Sequence, residues 1–241
     1  MLVLFALGSY VAFLGSFLYF AAFLSGCARG HAPAGSLAVA VAIDLALLAF
    51  FAVTHSVMAR PAFKRWWTRI VCREAERSVY VLVASAQVAL LCWQWRPLPG
   101  PTLWSASGWA AGALVAGQLL GFGIALVSTF LLDHFELFGL RQAFGRTVAP
   151  PEFRTPWLYR VVRHPLYLGQ VIAFWSAPHM SLGRFVLAAG LTLYVVVGAR
   201  LEERDLVDTF GDDYRLYQND VPMIVPHYGS LTLDDSEGGR S

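Results

Sequence analysis

Four apolar runs dominate this chain, at 2–24, 37–59, 78–95 and 108–132, each of about 20 residues. A run of that length matches the ~30 Å hydrocarbon core of a bilayer when wound as a helix. Backbone polar groups find no water in lipid, so each run must satisfy its own hydrogen bonds and is held to the helical state. Two shorter apolar runs, 166–178 and 183–199, are joined by 178-PHMSLG-183 and are expected to form a helical hairpin whose first arm enters only part-way or tilts. The expected fold is therefore all-α, a polytopic membrane protein of about five to six transmembrane helices, with a C-terminal hairpin and tail.

Composition agrees along the whole length. Charged residues make up 14% of the 241 positions, against about 25% in soluble domains. The N-terminal run lacks a basic leader and is long enough to span, so it is expected to be a membrane helix and not a removable signal. The net charge of +2 argues against nucleic acid as a partner. Cys27, Cys72 and Cys92 are odd in number and form no CxxC, which leaves no disulfide framework and no zinc ribbon; no metal site is expected.

Basic residues give an orientation. Arg60, Lys64, Arg65, Arg69, Arg73 and Arg77 crowd one loop, and Arg141, Arg146, Arg154, Arg160 and Arg163 crowd another. The opposite side has only Arg29, Arg96 and Arg184. Positive charge marks the cytoplasmic face, so both termini and the charged motifs are expected there, in what would be a bacterial inner membrane. The chain divides into a four-helix region at 1–132, a catalytic unit at 133–226 and a polar, disordered tail at 227–241. Within 200–226, a short amphipathic helix is expected to continue from the last membrane helix, with Leu201, Leu206, Val207 and Phe210 at helical spacing and Gly211 ending it.

Ionisable groups within or beside membrane helices are costly and mark function. Arg163 and His164 open the hairpin, followed by Pro165, which suits a first helical turn. Free backbone N–H groups there, with the two cationic side chains, suit a carboxylate, and Gly169 is expected to let a flat group approach. Glu202 and Glu203 lie at the hairpin's other end. Adjacent helical residues diverge by about 100°, so one acid is expected to look into the hairpin and the other toward Arg200, Arg204 or solvent. Donors for an anion and an acid for ammonium or hydroxyl groups would thus meet, an arrangement fitting a zwitterion that carries a sugar.

The pair 163-RHPLYLGQ-170 and 202-EERDLVDTFGDDYRLYQNDVPMIVP-226 resembles the isoprenylcysteine carboxyl methyltransferase and phospholipid methyltransferase superfamily. A narrower resemblance, through 54-THSVMARPAFKRWW-67, 76-ERSVYVLVASAQVALLCWQWRPLP-99, 132-LDHFELFGLRQ-142 and 173-AFWSAPHMSLG-183, is to the methanethiol S-methyltransferases, which make dimethyl sulfide. NnrU-like membrane proteins share part of the same pattern. The resemblance implies S-adenosylmethionine as co-substrate, with contacts at His164, Tyr167, Gly169, Glu202, Glu203 and Tyr214. It also implies a small volatile thiol as acceptor, membrane lipid as surroundings, and no obligate protein partner. The absence of GxGxxG agrees with a donor site that is not a Rossmann fold.

Methylation of a thiol needs the thiolate, so a base is expected near the acceptor. His55 and His134, with Asp133 beside the latter, are the candidates; Arg60 or Arg77 would stabilise the anion. Asp44 lies deeper, where it is placed to orient a neighbour by a hydrogen bond. Other acceptors in the superfamily are a prenylated cysteine and a phospholipid. Two other classes stay open: a haem protein using His55 and His134 as facing ligands, and a non-catalytic NnrU-like sensor or assembly factor.

Overall fold

The computed structural model describes residues 1–28, 30, 35–145 and 152–226. The disordered-tail expectation for 227–241, together with Arg29 and Arg146, lies outside the described residues. Five helices have the length and apolarity to cross a membrane: α1 (Leu2–Leu24), α2 (Leu37–Ala59), α4 (Arg73–Gln94), α5 (Gly108–Leu132) and α9 (Leu182–Phe210). Shorter helices connect them: α3 (Pro61–Trp67), α6 (His134–Leu137), α7 (Leu140–Ala143), α8 (Pro165–Trp175) and α10 (Asp212–Asp220), with a 3-10 turn at Trp157–Arg160. Large apolar side chains on the spans, including Leu4, Val11, Leu18, Val53, Leu119 and Leu193, point outward where lipid would lie. The interior is built on Leu24, Leu48, Leu91, Phe174, Leu187 and Val195, contributed by α1, α2, α4, α8 and α9.

The start of α4 and the strand pair differ from expectation, whereas the hairpin arms agree with it. The run expected from 78 begins at Arg73, because Cys72 starts the helix and Glu74 and Glu76 sit in its first turn, where negative charge suits the helix dipole. The basic stretch 60–77 is thus largely helical, with Pro61 in the first turn of α3. The hairpin's first arm is only 11 residues long, about 16 Å at 1.5 Å per residue, or half a bilayer core. After it, β2 (His179–Ser181) pairs antiparallel with β1 (Thr102–Ser105), a small sheet within an otherwise helical fold. The second arm is one unbroken helix of 29 residues. It stops where Gly211 turns at φ 61°, and α10 follows.

Helix α8 is held by close backbone contact. A Cβ built on Gly121 of α5 would lie 2.5 Å from the Gly169 carbonyl oxygen, and one on Gly169 would lie 2.5 Å from that of Gly121. Neither position tolerates a side chain, and the missing atoms let the two helices approach. Gln118 then donates to the Ala173 carbonyl at 3.2 Å and accepts from Ser25 at 2.9 Å, tying α1, α5 and α8 together. The strand pair gathers the α4–α5 and α8–α9 connections at one end of the bundle. At the other end lie the C-termini of α2, α5 and α9 and the N-termini of α4 and α8.

Candidate functional site

The charged end is organised by Arg163. Its Nε donates to Glu203 Oε1 at 2.6 Å, and its Nη1 donates to the Gln218 carbonyl at 2.8 Å and to the Val221 carbonyl. The backbone N–H groups of Arg163 and His164 donate to the carbonyls of Pro222 (2.9 Å) and Met223 (3.0 Å). Gln218 Nε2 reaches Glu203 Oε2 at 3.1 Å, and the Tyr217 hydroxyl donates to the Tyr159 carbonyl. This corrects two expectations. The N–H groups of residues 163 and 164 are not free for an anion, since the returning 218–223 segment uses them. The guanidinium is largely committed too, holding that segment and α9 against the start of α8.

His164 lies between the two acids. Its Nε2 is 3.2 Å from Glu203 Oε1 and its Nδ1 3.8 Å from Glu202 Oε2. Tyr167, stacked beside the imidazole with ring centroids 5.3 Å apart, donates to Glu202 at 2.8 Å. Both acids reach residues of α8, and neither pairs with Arg200 or Arg204 among the described residues; the expected divergence survives only in Glu202's partial exposure to solvent. Their settings differ: the Glu203 side chain is 11% exposed and the Glu202 side chain 45% exposed. Glu203 is enclosed by its ion pair, while Glu202 keeps an open side. Pro165 is buried in the first turn of α8. Gly169 belongs to the α5 contact; the face where its Cβ would project is filled by the α5 backbone, so it offers no room for a flat ligand group there. Tyr214 is buried beneath this cluster, its ring edge-on to Phe153 and Tyr217.

A second set of residues adjoins the first. His55 sits in a cage of rings: Phe51 at 5.2 Å, Tyr80 at 4.9 Å and Tyr194 at 6.0 Å between centroids. The Tyr80 hydroxyl and His55 Nε2 are 2.6 Å apart. His55 Nδ1 is buried and has no hydrogen-bond partner among the described residues. Tyr80, Tyr194 and Tyr167 all lie within electrostatic reach of Glu202, which joins this cage to the His164 cluster. Arg60 is tied to α9, donating to Asp205 at 2.8 Å and to the Leu201 carbonyl at 3.3 Å. Arg77 forms no ion pair among the described residues, and its charge reaches Tyr80. Asp44 accepts from the Arg96 backbone N–H at 2.8 Å, fixing the end of α4.

His134 and Asp133 lie in a different environment. His134 Nε2 meets the Tyr10 hydroxyl and Nδ1 meets Thr129 Oγ1, each at 2.7 Å, and the ring stacks on Phe130 at 4.0 Å. Asp133 pairs with Arg141 at 2.6 Å and caps α6 through the Glu136 N–H at 3.0 Å. Among the described residues neither forms a hydrogen bond, ion pair or ring contact with the His164 cluster or the His55 cage. The two histidines are enclosed by separate sets of helices, so they do not form the facing pair a bis-histidine haem needs.

Electrostatics outside the spans follow burial. It raises the Tyr159, Tyr214 and Tyr217 hydroxyls above the ordinary phenol value, with nearby Glu202 adding at Tyr159 and Glu203 at Tyr214, so all three remain neutral donors. Burial, then the Arg77 charge, lowers the Lys64 ammonium below its ordinary value. Burial lowers His134 as well, which keeps it neutral. Among the described residues no group of three or more His, Cys, Asp or Glu is placed to hold a metal.

The sequence reading does not single out Tyr194, Tyr217 or Gln218, and it counts Asp205 among the ionisable groups that close the hairpin without giving it a partner. Tyr217 and Gln218 fall in the quoted 202–226 segment, whose Y-x-x-Y spacing was the available sign. Tyr194 sits in an apolar run, and only the packing of α9 on α2 gives it a role.

The NnrU protein family matches residues 45–225. The chain is 45% identical to methanethiol S-methyltransferase 2 of Bradyrhizobium diazoefficiens, over 99% of this chain and 95% of that one. It is 44% identical to the methanethiol S-methyltransferase of Mycobacterium tuberculosis, over 93% and 95%. It is 32% identical to nurim of Sus scrofa, over 71% and 70%. No solved structure matches the chain.

Proposed function

The chain belongs to the membrane family that joins the NnrU proteins to the methanethiol S-methyltransferases, and on that footing we propose that it methylates methanethiol to dimethyl sulfide with S-adenosylmethionine as donor. The observation that carries this proposal is near-full-length identity of 44–45% to two proteins of that name. The donor supplies an electrophilic methyl on a sulfonium sulfur. The residues at the start of α8 and the end of α9 suit it in part. Glu202, half-open to solvent and held by Tyr167, suits an ammonium or sugar hydroxyls. The first turn of α8 carries the Leu166 and Tyr167 N–H groups, which have no carbonyl partner within the helix and suit a carboxylate. His164 fixes the spacing between the two acids. Arg163, Glu203 and Tyr214 are positioning residues that keep the 218–223 segment closed over this end.

The same site side holds Arg60, Arg77, Arg160 and Arg163, which supports placing it, with both termini, at the cytoplasmic face of a bacterial inner membrane. A small apolar thiol partitions into lipid and reaches this end from within the bilayer. Arg77 is placed to stabilise the thiolate; Arg60, bound to Asp205, holds α2 to α9.

The test is headspace gas chromatography of membranes carrying the protein, given S-adenosylmethionine and a panel of thiols, beside lipid and prenylcysteine acceptors. Dimethyl sulfide from methanethiol is expected. Methyl incorporation into a lipid or prenylcysteine, with no dimethyl sulfide, would refute the acceptor. Glu202→Gln is expected to weaken donor binding at least about tenfold, about 1.4 kcal/mol, measured by calorimetry on the purified protein.

A further inference from the structure

We propose that the ring cage of Phe51, His55, Tyr80 and Tyr194 is the acceptor compartment, that His55 Nδ1 takes the proton of the bound thiol, and that Tyr80 is the positioning residue that makes this nitrogen available. This rests on the methyltransferase reading above and assigns its acceptor side. Three helices bring the cage together: α2 gives Phe51 and His55, α4 gives Tyr80, and α9 gives Tyr194. The Phe51 and Tyr194 rings stand edge to face at 5.3 Å and close part of the wall. The walls are aromatic, which suits an apolar sulfur compound carrying one small alkyl group better than a charged or hydrated acceptor.

His55 Nδ1 is the telling atom. Buried polar atoms nearly always have a partner, and an exception calls for a reason. The ring is not free to turn toward one, because Tyr80 grips Nε2 at 2.6 Å. If the Tyr80 hydroxyl donates to Nε2, Nδ1 carries the hydrogen and has no basic character. If Nε2–H donates to the phenol oxygen, Nδ1 carries a lone pair that no described residue engages and can act as a base. Only the second tautomer serves the reaction, and the Tyr80 oxygen, able to accept as well as to donate, gives Nε2–H its partner in that tautomer.

The step balances. The thiol S–H bond breaks and the proton goes to Nδ1. The sulfur lone pair forms the new S–CH3 bond, while the donor's S–CH3 bond breaks with its electrons retained on the donor sulfur, now a neutral thioether. The imidazolium then gives its proton to solvent, on the side where Glu202 lies. Keeping Nδ1 dry prevents water from competing for it before the thiol enters.

The experiment compares two acceptors that differ in whether a proton must be removed: methanethiol and methaneselenol, the selenol being ionised at neutral pH. Wild type, His55→Gln and Tyr80→Phe are assayed as full chains in membranes, with donor binding measured as the check on folding. His55→Gln is expected to lower kcat for methanethiol about 100-fold and for the selenol less than about threefold. Tyr80→Phe is expected to show the same selectivity at about tenfold. Equal loss on both acceptors with donor binding intact, or no loss on either, would overturn the proposal, and either variant suffices if the other does not fold. Wild type inactive on both acceptors would instead remove the methyltransferase reading on which the proposal rests.

Discussion

Two histidines, His134 buried and His55 half-buried, each meet a tyrosine hydroxyl, and there the likeness ends. At His134 the network closes. Thr129 donates to the Leu126 carbonyl at 2.6 Å, so its oxygen accepts from His134 Nδ1–H, and Tyr10 donates to Nε2. Every polar atom is satisfied, and α1, α5 and α6 are pinned together. At His55 the network stays open: Tyr80 takes one nitrogen and the other has no partner among the described residues. In a membrane interior, a closed network acts as an adhesive between helices, and an open one leaves a group for a ligand. Residue type is the same in the two places, His55 within the span α2 and His134 just past the end of α5; what separates their chemistry is the count of partners.

The largest expected effect tests that contrast directly. His55→Gln and His134→Gln are assayed side by side for dimethyl sulfide. The first is expected to lose about 100-fold in turnover and the second to stay within about threefold. Comparable losses in both would erase the distinction. The stability of the protein in detergent is expected to order them the other way. His134→Leu leaves the Tyr10 and Thr129 hydroxyls without their partner and is expected to cost about 1–3 kcal/mol, read as a lower unfolding midpoint.

A smaller effect is a pH dependence owed to His134. Burial lowers its pKa below the ordinary value, so between the folded and unfolded values the unfolded chain binds more protons. The contribution of this group to stability is then fully present above about pH 6.5 and declines as pH falls through that range. Unfolding midpoints measured from pH 7.5 to 5.5 are expected to drop in the wild type and to drop less in His134→Leu. An equal slope in both would place the sensitivity elsewhere.

How far these differences are legible in the sequence depends on how local their causes are. The spans at 2–24, 37–59 and 108–132 declare themselves, because length and apolarity alone force helices in lipid. The meeting of His164 with Glu202 and Glu203 follows from hairpin logic, as the two ends of an antiparallel pair must come together. Other features depend on partners far along the chain. Gly169 reads as ligand-facing because nothing around it in sequence names α5; the sign of its partner is 117-GQLLG-121, a small-xxx-small spacing that marks a close helix approach. The Arg163 guanidinium looked free because the 218–223 segment that captures it lies more than fifty residues later. The strands are three and four residues long and pair Thr102 with Ser181, too short and too distant for an alternating pattern to announce them. His55 and His134 were equal candidates because hydrogen-bond saturation is a property of three-dimensional packing.

The smallest expected effect concerns Asp133, which the sequence set beside His134 as a catalytic candidate. Its side chain is 23% exposed and that of Arg141 44% exposed, so their ion pair is screened and is expected to contribute about 0.2–1 kcal/mol, less at high salt. Asp133 also caps α6 through its own side chain, a role worth about 0.5–2 kcal/mol when lost to alanine. Asparagine caps nearly as well as aspartate, so Asp133→Asn removes the charge and keeps the cap, whereas Asp133→Ala removes both. The stability difference between the two variants therefore isolates the cap, and the difference between wild type and Asp133→Asn isolates the pair. Both variants are expected to turn over methanethiol at near wild-type rates, because the partners of Asp133 among the described residues are Arg141 and the Glu136 N–H, not residues of the His55 cage. A loss of turnover in Asp133→Asn that exceeds its loss of stability would mean that a charge at this position reaches the chemistry, and the closed network around His134 would then have to be counted as part of the active site.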